Sequence, residues 1–73
     1  MTQTPDPPDR LDPHDFTRID ATARRMIARY STMKIAEEMA NWHGCDYPPA
    51  SRERNYWTRV GARIMQYRLS RGE

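Results

Sequence analysis

The chain has one cysteine, Cys45, among its 73 residues, and it has no long apolar run. One thiol excludes an intrachain disulfide and is typical of a reducing compartment. No stretch approaches the roughly 18 apolar residues of a membrane span, and the N-terminus lacks the features of a signal peptide. We therefore expect a cytoplasmic protein without membrane association. A chain this short is marginally stable alone, so a homodimer is a further expectation.

Charge is distributed unevenly along the chain. Residues 1–15 carry four aspartates against one arginine, whereas residues 51–73 carry six arginines against two glutamates. Eleven of the twelve cationic residues are arginine, and its planar, forked guanidinium suits phosphate, guanine edges or carboxylates. The basic C-terminal segment therefore indicates either nucleic acid or an acidic protein surface as the partner.

Residues 1–11 are rich in proline and aspartate, and we predict that they form a disordered acidic tail. Order is predicted to begin at Asp12, which is a good helix N-cap, with Pro13 in the first helical position. Leu11 and Phe16 occupy the two positions of a hydrophobic staple. The remainder, residues 12–73, is predicted to be a single helical domain.

Apolar residues recur at steps of three and four from Phe16 to Tyr30, which predicts an amphipathic helix. The register then changes at Ser31 and Thr32, and both are plausible caps for a second helix. A single long helix through Ser31 is the alternative. Later, two prolines stop any helix, and Ser51 can cap a third. We predict an all-α, three-helix domain with helices over about 12–30, 32–43 and 51–70.

The segment "YSTMKIAEEMA", residues 30–40, resembles the first half of a helix-turn-helix DNA-binding motif. In that family a turn ending in Ser or Thr leads into a short helix of pattern Ile-Ala-Glu. The resemblance covers residues 16–40 and implies that Ile35 and Met39 are buried anchors and that Ala36 lets the third helix cross closely. It ends where residues 42–50 replace the tight turn that normally precedes the recognition helix.

The resemblance implies that the third helix reads duplex DNA. Its polar side carries residues that suit base edges, because Arg forks onto guanine and Asn onto adenine. Arginines of the first helix would hold the phosphate backbone. The predicted nucleic-acid contacts are Arg52, Asn55, Arg59, Arg63, Gln66, Arg18, Arg25 and Arg29. The alternative is that these arginines form an ordinary solvated face.

A second interpretation is a small adaptor or inhibitor, of the kind made by a phage or plasmid, that docks on a host protein. Aromatic residues in or beside loops often anchor a partner, and arginine can meet an acidic face. The predicted partner contacts in this case are Trp42, Tyr47 and Arg54.

Catalysis and metal binding are not expected. The sequence has no glycine-rich phosphate loop, and Glu37 and Glu38 are adjacent on a helix and point about 100° apart, so they cannot act as an acid–base pair. His43, Cys45 and Asp46 are potential metal ligands, but a structural zinc site needs four, usually in two separated pairs. We therefore predict a protein that is not an enzyme and has no cofactor.

Overall fold

The computed structural model describes residues 11–72 and contains three helices, with no strand in that range. They are α1 (Phe16–Arg29), α2 (Met33–Gly44) and α3 (Arg52–Ser70). The predicted all-α, three-helix architecture is confirmed. None of these helices in the described range is both long and apolar enough to cross a bilayer. The predicted disordered tail lies outside the described residues except for Leu11, which packs against the core.

The predicted N-cap of α1 at Asp12 is wrong, because Asp15 caps the helix. The Asp15 carboxylate accepts a hydrogen bond from the backbone N–H of Arg18 at 3.0 Å. Asp12 instead accepts from the backbone N–H of His14 at 2.9 Å, and its carbonyl accepts from the N–H of Asp15 at 3.1 Å. Both aspartates are competent caps, but Asp12 forms a separate turn ahead of the helix.

At this end of α1, the position of Phe16 also differs from the prediction. It is the first helical residue, and 64% of its surface is exposed, so it forms no staple with Leu11. The buried stripe of α1 consists of Ile19, Ala23 and Met26. The predicted amphipathic pattern of α1 is therefore confirmed from Ile19 onward.

Residues 16–43 form two helices, which excludes the single long helix. Tyr30 follows α1 with extended backbone (φ −100°, ψ 156°), and Thr32 is also extended (φ −136°, ψ 157°). The Thr32 hydroxyl accepts from the N–H of Ile35 at 3.1 Å, which satisfies one of the free amides at the start of α2. The chain therefore bends at the position where the apolar register changes.

Residues 45–51 connect α2 to α3. Ser51 caps α3 as predicted, since its hydroxyl accepts from the N–H of Arg54 at 3.1 Å. Ala50, directly before this cap, has a φ of 65°, a left-handed conformation that is uncommon outside glycine. The connection reverses the chain direction and returns α3 along α2.

α2 and α3 pack side by side in opposite directions. Three contacts show the order: Glu37 pairs with Arg68, Asn41 lies against Gly61, and Gly44 lies against Trp57. A Cβ placed on Gly61 would lie 2.8 Å from the Asn41 side-chain oxygen, so this glycine permits the close approach predicted for it. The buried face of α2 is accordingly made of small residues and Met33.

The core joins all three helices. Its buried members are Ile19, Ala23, Met26, Met33, Ala36, Ala40, Tyr56, Val60 and Ile64. The anchor role implied for Ile35 is wrong, since 39% of it is exposed, whereas Met39 is half-buried against the core. Ala36 is fully buried, as the resemblance implied. Trp42, on the same side as Ile35, is 70% exposed.

Candidate functional site

The polar side of α3 faces solvent next to α1. Arg52, Asn55 and Arg59 are all exposed, as predicted. Arg59 lies over the exposed ring of Phe16, with 6.0 Å between its guanidinium carbon and the ring centroid. That distance is the outer limit of a cation–π contact, and the guanidinium group donates no hydrogen bond to another residue in the range 11–72.

The side of α1 that contacts α3 carries a second set of arginines. Arg25 and Arg29 are exposed on α1, and Arg18 is half-buried. Thr22 and the hydroxyl of Tyr56 are hydrogen-bonded at 2.5 Å, and the same hydroxyl donates to the Arg18 carbonyl at 3.4 Å. The predicted phosphate-contacting arginines of α1 therefore lie beside α3.

Helical spacing relates the two sets. On α1, Arg25 and Arg29 follow Thr22 by three and seven residues. On α3, Arg52 precedes Tyr56 by four residues and Arg59 follows it by three. Each pair of arginines therefore lies on the same side of its helix as the residue, Thr22 or Tyr56, that joins the two helices. We call Arg25, Arg29, Arg52 and Arg59 the arginine surface. None of the four forms an ion pair with another residue of the part of the chain that is described.

Other arginines are held by acidic residues. Asp20 is at the centre of a cluster in which Arg63 Nε lies 2.8 Å from one carboxylate oxygen and Arg24 Nε lies 3.1 Å from the other. The Tyr67 hydroxyl donates to Asp20 at 2.5 Å and accepts from Arg24 at 3.1 Å. Elsewhere, Arg68 pairs with Glu37 at 3.1 Å. These arginines tie helices to one another.

The cluster shifts the pKa values of its members. Hydrogen bonds from Tyr67 and then Arg63 lower the pKa of Asp20, and the nearby charge of Arg24 lowers it further. The hydrogen bond with Tyr67 raises the pKa of Arg24, and the one with Asp20 raises the pKa of Arg63. The carboxylate therefore stays ionised and the two guanidinium groups stay charged.

Two of the predicted DNA contacts belong to this cluster. Arg63 donates from Nη1 to the side-chain oxygen of Gln66 at 2.9 Å, and its Nε is used by Asp20. Both residues line a groove of about 280 Å³ between α1 and α3, together with Phe16, Ile19, Asp20, Arg59 and Ala62. Arg63 and Gln66 are thus beside Arg59, but they already have partners within the protein.

The sequence prediction missed Asp20, Arg24 and Tyr67. A local signal existed for one pair, because Asp20 and Arg24 are four residues apart on a helix and can meet on one face. The link to Arg63 and Tyr67 spans 43 and 47 residues of sequence. That link depends on how α1 packs on α3, which no local pattern reveals.

A second groove of about 540 Å³ lies on the other side of α1, against the end of α2 and the start of α3. Arg25 and Arg29 form its charged side, and His43 and Trp57 contribute aromatic rings. The rest of its lining is Thr22, Met26, Ala28 and Tyr30. We call it the aromatic groove.

Of the residues predicted to anchor a protein partner, Trp42 is the one that presents its side chain to solvent. Tyr47 is half-buried, and its carbonyl accepts from Arg54 Nη1 at 3.4 Å, so Arg54 is used to hold the connection between α2 and α3. Trp42 shares its side of α2 with Ile35 and Met39, at steps of four and three residues. The predicted partner contacts, which were in or beside loops, did not include the rest of this apolar stripe.

No protein-family model, curated protein or solved structure matches the chain. The helix-turn-helix resemblance therefore stays a prediction drawn from residues 16–40. Two features of the described residues differ from that motif, in which the two helices meet at roughly 90–120° through a turn of about three or four residues. Here residues 45–51 connect the helices, and α3 runs back along α2.

Proposed function

We propose that this protein binds double-stranded DNA through the arginine surface and acts as a small regulator of transcription. The observation that supports the proposal is the division of the arginines into two groups. Arg24, Arg63 and Arg68 have acidic partners, whereas the four arginines of the arginine surface are exposed and have none among residues 11–72. Arg59 lines the groove on one side of α1, and Arg25 and Arg29 line the groove on the other. Uncompensated guanidinium groups that flank a helix in this way are suited to a polyanion.

The two helices would have different tasks in this complex. Arg52, Asn55 and Arg59 of α3 would approach the base edges in the major groove, where bidentate contacts distinguish guanine and adenine. Arg25 and Arg29 of α1 would hold backbone phosphates and fix the position of α3. Arg63 would act mainly inside the protein, as the partner of Asp20. We expect a regulator of this type in the cytoplasm.

The test is a fluorescence titration of labelled duplex DNA at several salt concentrations. We expect affinity to fall steeply with salt, because each neutralised phosphate releases counterions. The double variant Arg52→Ala/Arg59→Ala should bind more weakly and distinguish less between DNA sequences. Arg25→Ala/Arg29→Ala should reduce the salt slope by about one for each lost phosphate contact.

The matched control is Lys34→Ala/Arg71→Ala. Both residues are exposed and lie outside the arginine surface, and the variant loses the same two charges. It should bind almost as well as the parent protein. Equal weakening in this control and in Arg52→Ala/Arg59→Ala would mean that overall charge alone attracts the DNA, and absence of salt-dependent binding would refute the proposal.

A second candidate function, docking on a host protein as an adaptor or inhibitor, is favoured by Trp42. Its surface is 70% exposed, and Ile35 and Met39 extend the apolar stripe. Exposed tryptophans are frequent binding hot spots. The test is a pull-down from host lysate after nuclease treatment. A stoichiometric protein partner supports this function if it still binds Arg52→Ala/Arg59→Ala and no longer binds Trp42→Ala. Sedimentation of the purified protein tests whether the same stripe instead forms a homodimer.

A further inference from the structure

The aromatic groove has a charged side and an aromatic side. Arg25 and Arg29 are exposed on α1, three and seven residues after Thr22. Opposite them lie His43, from the last turn of α2, and Trp57, from the second turn of α3. Arg25 and Arg29 also belong to the arginine surface, but duplex binding makes no use of the rings.

The aromatic side is held in place by contacts with the core. The His43 ring lies 4.8 Å from the Trp57 ring, centroid to centroid, at an interplanar angle of 31°. The buried Tyr56 ring meets the Trp57 ring edge-on, at 5.5 Å and 88°. His43 is exposed while Trp57 is half-buried, so His43 is the outer member of a stack that Tyr56 supports from inside.

Two further features suggest a ligand. Tyr30 is half-buried at the end of α1, forms no side-chain hydrogen bond among residues 11–72 and adds a third ring to the lining. The indole N–H of Trp57 is buried and has no acceptor within the same part of the chain. Buried donors are nearly always paired, so Trp57, which lines the groove, carries an unsatisfied N–H.

We propose that the aromatic groove binds one unpaired nucleotide, with the base against His43 and Tyr30 and the phosphate between Arg25 and Arg29. Flat rings next to guanidinium groups are the combination that single-strand binders use, because every base offers a π-face and every nucleotide a phosphate. The volume of about 540 Å³ lies within the usual range for small-molecule sites. An acidic peptide would satisfy the arginines but would leave the three rings without a flat partner.

Bases of intact duplex DNA cannot enter this groove, since they are stacked and paired inside the helix. The ligand is therefore either a free mononucleotide or an exposed base of a single strand. The groove shares two arginines with the duplex proposal but does not depend on it, because Arg52 and Arg59 are not part of its lining.

The experiment uses the full chain with Trp42→Phe, which leaves Trp57 as the only tryptophan. Its fluorescence is titrated with thymidine monophosphate, with an eight-residue oligothymidylate and with an eight-residue polyglutamate. We expect the nucleotide ligands to quench Trp57 and polyglutamate to leave it unchanged. Quenching by the mononucleotide identifies a free nucleotide as a sufficient ligand, and quenching by the oligomer alone identifies a single strand.

Variants then separate stacking from charge. Tyr30→Ala and His43→Ala should each weaken oligothymidylate binding by roughly tenfold, whereas Tyr30→Phe and His43→Phe, which keep a ring, should bind nearly as the parent does. Arg25→Ala/Arg29→Ala should abolish the quench, and Lys34→Ala/Arg71→Ala should not. Circular dichroism of each variant establishes that the three helices are retained.

The outcomes distinguish this proposal from the previous one. A quench that persists in Arg52→Ala/Arg59→Ala while duplex binding is lost supports a nucleotide site that does not need the duplex contacts of α3. Three results would overturn the nucleotide proposal and leave duplex binding unaffected. They are no quench by either nucleotide ligand, an equal quench by polyglutamate, and undiminished binding by the ring-deleted variants.

Discussion

α2 and α1 both pack against α3, but they do so by different chemistry. The middle of the α2 contact depends on shape, since Ala36 and Ala40 are fully buried and Gly61 lies against Asn41, and one ion pair, Glu37 with Arg68, lies at its end. The α1 contact also buries apolar residues, but polar groups hold its edges, through Thr22 with Tyr56 and the cluster around Asp20. A shape-dependent contact responds to side-chain volume, whereas a polar one responds to acid and to lost hydrogen bonds.

The largest effect is expected where volume is added between α2 and α3. Gly44→Leu should lower the free energy of unfolding by about 1–3 kcal/mol, as overpacking commonly does. A Cβ at this position would lie 3.2 Å from the Trp57 Cβ and 3.7 Å from a backbone oxygen. Urea unfolding followed by circular dichroism measures the change.

The control for this variant is Ala21→Leu, at an exposed position of α1, which should change stability by about 0.5 kcal/mol or less. Leucine is also a better helix former than glycine by up to ~1 kcal/mol. An unchanged or raised stability for Gly44→Leu would therefore mean that α2 and α3 can separate without loss, which contradicts a shape-dependent contact.

A smaller effect is expected when one hydrogen bond of the α1 contact is removed. Tyr56→Phe keeps the buried ring but deletes the hydroxyl that contacts Thr22 and the Arg18 carbonyl. We expect a loss of about 0.5–1.5 kcal/mol in the same unfolding measurement. Tyr30→Phe, at a half-buried tyrosine without such bonds in the described range, should be nearly neutral. Equal effects would show that the Tyr56 hydroxyl contributes nothing specific.

The mildest perturbation is acid. The pKa of Asp20 is lowered in the folded protein by Tyr67 and Arg63, so its contribution to stability is complete above its ordinary pKa of 3.8 and is lost as pH falls through the lowered value. Asp20→Asn should be less stable than the parent at neutral pH and lose less stability on acidification.

Tyr67→Phe provides the intermediate case for this titration, because it removes the hydrogen bond that lowers the pKa of Asp20 most. Its loss of stability with acid should lie between those of the parent and Asp20→Asn. Melting temperatures measured from pH 7 to pH 2 would reveal the order. Parallel curves for all three proteins would mean that the Asp20 cluster does not support the α1 contact.

Local signals allowed much of the fold to be predicted. Ser51 was expected as a cap and serves as one, and of the two expected candidates Ser31 and Thr32 it is Thr32 that caps α2. These caps were predictable because a cap depends on residues within one turn. The same rule failed at Asp12, where two competent aspartates lie three residues apart and the sequence does not rank them. The helix count was predictable, whereas the first residue of α1 was not.

α2 shows a different reason for failure. One side of it carries Ile35 and Trp42, and the other carries Ala36 and Ala40. The sequence pattern favours burying the bulky side, but the structure buries the small side, since only small residues let α3 approach closely. Which side faces inward depends on the neighbouring helix rather than on the residue pattern of α2 itself.

The candidate site was predictable in part for a related reason. The exposure of Arg52, Asn55 and Arg59 was expected from helical periodicity. The capture of Arg63 by Asp20 was not, because the two are 43 residues apart. Charge counts along a sequence cannot separate an arginine that serves a ligand from one that serves the fold.

The spacing of contacts along the chain has a consequence for how the molecule assembles. α2 and α3 meet through residues 10 to 31 positions apart, whereas the polar contacts of α1 with α3 span 34 to 47 positions. Shorter loops close at a smaller entropic cost, so we expect the α2–α3 hairpin to form early and α1 to dock late. Both grooves have α1 as a wall, so neither exists until that last step. A ligand bound in either groove would therefore slow the detachment of α1 from the other two helices.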